Sequence, residues 1–222
     1  VPPPRRDNRP MEGASGFESA DNAAAAQDAT TLRAAAELEL AYGMTASRQG
    51  AEQRAMYDGA DRRLREAAEF FAAHSLPVRA AYAVNMRGIR AFYMGDYEAA
   101  VKFFSQAVDM ARANQDVGEE ARSLSNLAWI HYLRGQVAQA SVEYQTLLPM
   151  VEKDRQPFQY ALTIGNYASC LIALGEFDRA LALHNEALAL FTAQGRDAER
   201  ANELEALGSL YMRVGDSARA LE

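Results

Sequence analysis

Apolar residues recur along most of the chain at intervals of three and four residues, which is the spacing of one helix face. Leu124, Leu127, Ala128 and His131 share such a face, and the run 180–190 has the same period. A Gly-Asp, Gly-Gln or Gly-Glu pair separates successive helical runs. Glycine suits the left-handed conformation in which many helices end. The pattern therefore predicts pairs of helices joined by tight turns.

These turns and two columns of alanine recur at a fixed interval of 40 residues. The glycines are Gly95, Gly135, Gly175 and Gly215. The alanine columns are Ala60, Ala100, Ala140, Ala180 and Ala220, and Ala81, Ala121, Ala161 and Ala201. A fixed period of this size is the signature of a repeat array that stacks into a solenoid. We predict an all-α solenoid of about four and a half antiparallel helix hairpins.

Prolines mark the boundaries of the units, because proline is tolerated at a helix start and disfavours helix before it. Pro77 and Pro157 lie two periods apart, whereas Pro149 falls inside a helical run and predicts a kink or an early helix end. The predicted segments are a disordered Pro/Gly/Ser-rich stretch at 1–20, a degenerate N-terminal repeat or cap at 21–76, and repeats at 77–116, 117–156, 157–196 and, truncated, 197–222.

The two ends of the chain carry expectations of their own. In the degenerate unit the first helix is predicted within 28–49, with Leu38, Tyr42 and Met44 facing inward. The chain begins at Val1 and stops at Glu222 inside the repeat pattern. It is therefore expected to be a segment of a longer protein.

Composition excludes several classes of partner. Of the 222 residues, 49% are hydrophobic and the net charge is −7, whereas nucleic-acid and anionic-membrane binding need clustered positive charge. The single cysteine, Cys170, excludes an internal disulfide framework and a multi-cysteine zinc site. No apolar run is long enough to span a membrane. We expect no nucleic acid and no membrane insertion; the compartment is cytoplasmic, or periplasmic after removal of a signal peptide.

At this point the chain resembles the tetratricopeptide repeat family, in its 40-residue kinesin light chain-like subclass. The positions of the family pattern in one unit are Gly88, Ala91, Gly95, Tyr97, Ala100, Phe104 and Ala107, and Ala91 departs from the pattern, which has an aromatic residue there. The match covers 77–222 well and 28–76 weakly. It implies a right-handed superhelix in which the first helix of each unit lines the concave side. The stretches NLAWIHYLRG and ALALHNEALALF are also similar to the N-terminal arrays of bacterial proteins that bear a caspase-like (CHAT) peptidase domain.

The sequence predicts no catalytic residue, no metal site and no cofactor. By the resemblance, His131 and His184 occupy core positions and are expected to be packed side chains. The spacing of Cys170 and His184 matches no known nucleophile–base mechanism, and no metalloprotease, phosphate-loop or zinc spacing appears. The adjacent Glu119 and Glu120 are predicted to be solvated or to stabilise a helix N-terminus.

A peptide-binding groove remains as the functional hypothesis. Asn126 and Asn166 lie one period apart, and a primary amide can pair with both groups of a peptide backbone; alternatively, each amide bridges neighbouring helices. Trp129 is either a partner anchor or a filler between first helices. The predicted peptide-binding residues are Asn126, Asn166, Arg122, Trp129, Tyr132, Tyr93, Met86, Ser169 and Arg213.

Three functions follow from this surface, and none is an enzyme reaction. The first is a scaffold or sensor array of a larger bacterial protein that binds a protein or an extended peptide on its concave face. The second is an intramolecular array that regulates an attached catalytic domain, such as a CHAT peptidase or a diguanylate cyclase, further along the same chain. The third is a signalling-ligand sensor of a transcription regulator. The sequence does not name the partner.

Overall fold

The structure is a computed structural model that describes the backbone of residues 14–45 and 51–216 and the side chains of residues 24–39 and 54–216. These residues form helices and connecting turns, with no strand among them. The helices are α1 (Ala14–Thr45), α2 (Ala51–Ala73), α3 (Pro77–Tyr93), α4 (Tyr97–Ala113), α5 (Val117–Leu133), α6 (Val137–Leu147), α7 (Pro157–Leu174), α8 (Phe177–Ala193) and α9 (Asp197–Arg213).

The turns inside the hairpins follow the predicted glycine chemistry. Gly95 leaves α3 with a positive φ of 75°, a conformation that favours glycine because it has no Cβ. The Gly95 N–H donates to the carbonyl of Phe92, and the next N–H, of Asp96, donates to Ala91. The Asp96 carboxylate then accepts from the backbone N–H of Ala99 at 3.0 Å. One turn thus closes α3 and caps α4.

Proline ends one helix early, as predicted. α6 has 11 residues, whereas α5 has 17. The helix stops at Leu147, and the three residues 148–150 around Pro149 form a short 3-10 turn. The following linker, 151–156, reaches Pro157, which occupies the first turn of α7. The second hairpin of the regular array therefore has a shortened outer helix.

Small residues allow the helices of a hairpin to approach closely. Ala100, Ala140 and Ala180 are fully buried, one in each outer helix. A Cβ added at Gly88 would lie 2.5 Å from the ring of Phe104, so the ring occupies the space that glycine leaves. Small residues therefore recur at these positions of the repeat because the two helices of a hairpin cross closely there.

Another alanine column is buried against the outer helix of its own unit. Ala161 packs in one cluster with Ala187 and Phe191 of α8. Its equivalent in the last unit, Ala201, is exposed, because α9 is the last helix that the structure describes. Ala220 of the other column lies outside the described residues.

The stacking of the units determines which face is concave. Each helix contacts its neighbours in the chain, and in addition α1 contacts α3, α3 contacts α5, α5 contacts α7 and α7 contacts α9. Among the described residues, no such contact joins α2 to α4, α4 to α6 or α6 to α8. The first helices of successive hairpins are therefore closer together than the second helices, which places α1, α3, α5, α7 and α9 on the inner side of the array.

The N-terminal unit differs from the prediction in two respects. α1 begins at Ala14, inside the stretch predicted to be disordered and well before residue 28; its alanine-rich sequence has high helix propensity. Leu38 was predicted inward but is 72% exposed, and Ala29 and Ala36 are the buried positions among residues 24–39 of α1. The side chains of Tyr42 and Met44, and residues 1–13, lie outside the described part of the chain.

Across the described helices, none is both long and apolar enough to cross a membrane.

Candidate functional site

The cleft between α3 and α5 holds an apolar cavity at its C-terminal end. The cavity has a volume of about 220 Å³. Its lining residues are Ile89, Phe92, Tyr93, Phe104, Asn126, Trp129 and Ile130. Trp129 is half-buried and stacks on Tyr132 with ring centroids 5.2 Å apart. Tyr93 is 44% exposed and packs edge-on against Phe92 at 5.0 Å. Aromatic side chains thus form a wall that solvent can reach.

The N-terminal end of the same cleft holds a second cavity, which arginines surround. Its volume is also about 220 Å³. The residues that line it are Arg33, Val78, Arg79, Tyr82, Asp116, Gly118, Glu119 and Arg122. The guanidinium groups of Arg33 and Arg122 lie 4.7 Å and 5.3 Å from the centre of the Tyr82 ring. Burial, and then the nearby Glu37 carboxylate, raise the pKa of Tyr82, so its hydroxyl stays protonated near neutral pH.

A third cavity, of about 420 Å³, lies between α5 and the start of α7. Gly118, Arg122, Arg155, Gln156, Pro157, Phe158 and Gln159 line it. Arg122 therefore separates this cavity from the N-terminal cavity of the α3–α5 cleft.

The two asparagines of the predicted clamp both bond to other helices. The Asn126 side-chain N–H donates to Oδ1 of Asn85 at 3.0 Å, and Asn85 is fully buried on α3. The Asn166 amide hydrogen-bonds the hydroxyl of Tyr144 on α6. Both asparagines remain half-buried. They therefore bridge helices, as the alternative prediction had it, while part of each amide still faces the inner side.

The remaining predicted site residues divide between groove and core. Met86 is 8% exposed and packs with Ala36 and Leu64, so its prediction as a groove residue is wrong; α1 and α2 cover this position. Ser169 is half-buried, and its hydroxyl donates to the carbonyl of Gly165 within α7 at 3.3 Å. The Ser169 hydroxyl therefore donates its hydrogen within its own helix and not toward the groove.

At the C-terminal end of the first helices, Tyr132 and Arg213 lie near each other. Burial, followed by Cys170, raises the pKa of Tyr132, and the Arg213 guanidinium opposes that shift. Arg213 is exposed, and its guanidinium lies 5.9 Å from the ring centre of Phe177. The predicted site residues that line the cavities of the α3–α5 cleft are thus Tyr93, Arg122, Asn126 and Trp129. Tyr132, Asn166 and Arg213 line neither cavity.

Arg122 has a structural role in addition to its predicted place in the groove, because it is the ion-pair partner of a buried carboxylate. Its guanidinium forms an ion pair with Glu119, which is only 3% exposed and also accepts from the Ser123 hydroxyl at 3.0 Å. Burial raises the pKa of Glu119, against the lowering effect of Arg122. The neighbouring Glu120 is buried too and pairs with Arg112 at 2.9 Å. The prediction that these carboxylates are solvated is wrong, because each is buried with a guanidinium partner, whereas the alternative agrees with their position in the first turn of α5.

Both core histidines pair with carboxylates. His131 is buried, as predicted, and its Nδ1 lies 2.8 Å from Glu143. His184 is 1% exposed, and its Nδ1 lies 2.6 Å from Glu203 on α9. Sequence periodicity gives no signal for these pairs, because each partner is on another helix.

The geometry of the described residues offers no nucleophile and no metal cluster. Burial, together with Glu143, raises the pKa of the Cys170 thiol to about 12, so almost none of it is thiolate at neutral pH. His184 faces Glu203 instead of Cys170. Within the described chain, no group of three or more His, Cys, Asp or Glu side chains is arranged to hold a metal ion.

Comparison with protein families decides the identity of the repeats. The family model described as tetratricopeptide repeat matches residues 79–153, which span α3 to the linker before α7. Residues 79–153 therefore carry tetratricopeptide repeats. Tetratricopeptide repeat folds are non-catalytic scaffolds for protein interaction. No curated protein matches the sequence.

Solved structures show the same fold for this tetratricopeptide repeat chain at low sequence identity. A putative kinesin light chain with nearly identical repeats from Podosopora anserina superimposes with a TM-score of 0.63 at 16% identity, over 87% of this chain and 91% of that one. BtubC (BKLC) from P. vanneervenii gives 0.61 at 17% identity, over 94% and 87%. Identities this low establish the fold alone.

A Rap protein complexed with Competence and Sporulation Factor gives a TM-score of 0.65 at 15% identity, over 74% of this chain and 46% of that one. RapI, in its apo form, is covered over 47% of its length. The chain therefore spans about half the length of these two Rap proteins.

Proposed function

We propose that the tetratricopeptide repeats bind an extended peptide segment of a partner protein in the groove lined by α3, α5 and α7. The observation that carries the proposal is the apolar cavity of the α3–α5 cleft, with Trp129 in its wall and the Asn126 amide at its edge. Tryptophan and tyrosine dominate the energetics of protein interfaces, because they bury a large area at low entropic cost.

The size of this cavity favours a side chain as its occupant. Pockets for small-molecule ligands and cofactors have volumes of about 300–1,000 Å³, whereas this one has about 220 Å³. A cavity of that volume accepts one large apolar side chain, and the rest of the peptide lies in the groove outside it. The Rap protein complexed with Competence and Sporulation Factor supports the proposal, since a solenoid of this fold there carries a bound partner.

The amides of Asn126 and Asn166 serve two purposes in this proposal. Each amide bonds to a neighbouring helix, which fixes its orientation. An asparagine amide offers two N–H donors and a carbonyl acceptor, so the bridge leaves hydrogen-bonding capacity for a peptide backbone.

The test uses peptides selected from a random twelve-residue display library against the whole chain. Replacing Trp129 with alanine should weaken their binding by about tenfold or more, since a hot-spot truncation costs roughly 2 kcal/mol. Replacing both asparagines should weaken binding and also lower the melting temperature, because the amides bridge helices.

The control for these variants is Val142→Ala, on the outer helix α6, where the side chain is 61% exposed. It should leave affinity unchanged. Selected peptides that bind Trp129→Ala and wild type equally would show that the groove is not the binding surface, and an empty selection would contradict peptide binding altogether. A segment of a further domain of the same protein that competes with these peptides would support the intramolecular form of the proposal.

A further inference from the structure

The two ends of the α3–α5 cleft differ in chemistry. The C-terminal cavity is lined by aromatic and aliphatic side chains and Asn126, whereas the N-terminal cavity has three guanidinium groups, those of Arg33, Arg79 and Arg122. A peptide that lies along the cleft therefore meets an apolar pocket at one end and cationic groups at the other.

The carboxylates of the N-terminal cavity are engaged inside the protein. Asp116 accepts from the backbone N–H of Glu119 at 3.1 Å, where it caps α5. Glu119 is buried under Arg122 and Ser123. Glu37, which lies beside the cavity, pairs with Arg33 at 3.2 Å. The carboxylates of Glu37 and Glu119 neutralise two of the three arginines, Arg33 and Arg122, and the Asp116 carboxylate caps the N-terminus of α5.

Arg79 is the cation left for a ligand. Its side chain is exposed, donates to the hydroxyl of Thr30 at 3.2 Å and lies 5.8 Å over the ring of Phe71. Within the described chain, no carboxylate forms an ion pair with it, whereas Arg33 and Arg122 each have one. An acidic side chain entering the cavity would be its first ion-pair partner.

The length of the cleft sets the spacing of the two features. Arg122 and Trp129 are seven residues apart on α5, which corresponds to about 10 Å along the helix axis, and Arg79 and Ile89 are ten residues apart on α3, which corresponds to about 15 Å. An extended peptide advances about 3.3 Å per residue, and every second side chain lies on the same face. Side chains four positions apart, about 13 Å, therefore reach the two cavities from one face of the peptide.

We infer that the α3–α5 cleft selects a peptide in which an acidic side chain and a large apolar side chain lie four positions apart. The apolar side chain fills the cavity beside Trp129, the acidic side chain pairs with Arg79, and the peptide backbone passes Asn126 between them. This inference rests on the proposed function and adds the side-chain chemistry of the ligand and the spacing of its two key residues.

The experiment aligns the peptides selected from the random library and measures the affinity of one synthetic representative by fluorescence anisotropy. The expected alignment has Asp or Glu four positions from Leu, Phe, Trp or Met. Changing the acidic residue of the representative to lysine should weaken binding by about three- to tenfold, since an exposed ion pair is replaced by repulsion. Moving the two residues to adjacent positions should weaken it as well.

The matched variants are Arg79→Glu at the cavity and Arg65→Glu on α2, where the side chain is exposed. Arg79 is chosen over Arg122, because removal of Arg122 would leave the buried Glu119 without its partner. Arg79→Glu should reverse the preference, so that the lysine peptide binds about threefold or more tighter than the acidic one. Arg65→Glu should keep the wild-type preference for the acidic peptide.

The outcomes separate the two proposals. Peptides that depend on Trp129 but show no acidic preference, or whose preference survives Arg79→Glu, would overturn this inference and leave groove binding intact. Peptides that bind independently of Trp129, or the absence of any selected peptide, would overturn both. A reversal of preference in Arg79→Glu, and none in Arg65→Glu, would support the inference.

Discussion

Individual polar residues decide how the inner core of this array is built. His184 occupies the column in which the preceding units carry Phe104 and Tyr144, and all three side chains are buried. Its imidazole faces the carboxylate of Glu203, and the carboxylate fits because position 165 is glycine: a Cβ there would lie 2.4 Å from an oxygen of Glu203. Three residues on three helices thus form one polar joint between α7, α8 and α9.

The joint predicts strong coupling between its two polar members. Glu203→Ala leaves a buried imidazole without its partner, and His184→Phe leaves a buried carboxylate, so each change should destabilise the fold by about 3–5 kcal/mol. The double variant restores an apolar interface and should be less destabilised than the sum of the single changes. Urea unfolding at neutral pH measures all three.

The control for this cycle is Glu152→Ala. Its partner Arg155 is 78% exposed in the side chain, so the loss should be below about 1 kcal/mol. Additive effects of His184→Phe and Glu203→Ala would show that the two side chains do not act as a pair.

For single residues, the sequence predicted which histidines are buried, but not which carboxylates they contact. The burial of His131 and His184 followed from their place in the repeat, whereas Glu143 and Glu203 are 12 and 19 residues away and on other helices. Glu119 is a different case: Arg122 and Ser123 lie three and four residues further along α5, so helical spacing could have predicted both partners. Only the burial of the Glu119 carboxylate depends on the rest of the fold.

Helices and turns were predictable where the signal is local. The glycine turns and the helix break at Pro149 depend on the backbone preferences of a few adjacent residues, and both are confirmed. Met86 and Leu38 were misplaced, because burial there depends on how α1 packs against α2 and α3. That packing involves the least regular unit, in which the repeat gives no register to follow.

The alanine column provides a test of helix packing within one element. Ala140 is fully buried where α6 meets α5, and Ala138 is exposed on the same helix. Ala140→Leu adds bulk to a close crossing and should cost about 1–3 kcal/mol. Ala138→Leu makes the same substitution at the surface, and its free energy of unfolding should stay within about 0.5 kcal/mol of wild type. Thermal or urea unfolding distinguishes the two, and equal effects would show that the assigned register is wrong.

The described part of the molecule is a one-dimensional array: each helix contacts its neighbours in the chain, and each first helix also contacts the first helix of the next unit. Stability in such arrays is approximately the sum of terms within units and between neighbours. The α3–α5 cleft lies near the N-terminal half of the described chain, and α9 packs on α7 and α8 and not on α3 or α4 among the described residues. Binding at the cleft should therefore be insulated from damage at the far end.

Two equivalent truncations of core side chains test whether damage at the far end leaves the cleft unaffected. Ile130 on α5 and Leu210 on α9 stand two periods apart in the same column, and each is 1% exposed. Replacing either with alanine should cost about 2–5 kcal/mol in its own surroundings. Leu210→Ala should raise amide hydrogen exchange in α7, α8 and α9 and leave the protection of α3 and α4 as in wild type.

Ile130→Ala, in contrast, should loosen α3 to α7, because α5 contacts α3, α4, α6 and α7. Peptides that require Trp129 should keep their affinity for Leu210→Ala and lose affinity for Ile130→Ala, since Ile130 also lines the apolar cavity. Hydrogen exchange read by mass spectrometry resolves the helices individually. If both variants loosened every helix to the same extent, the chain would unfold as one cooperative block, and the binding cleft would depend on the stability of the entire array.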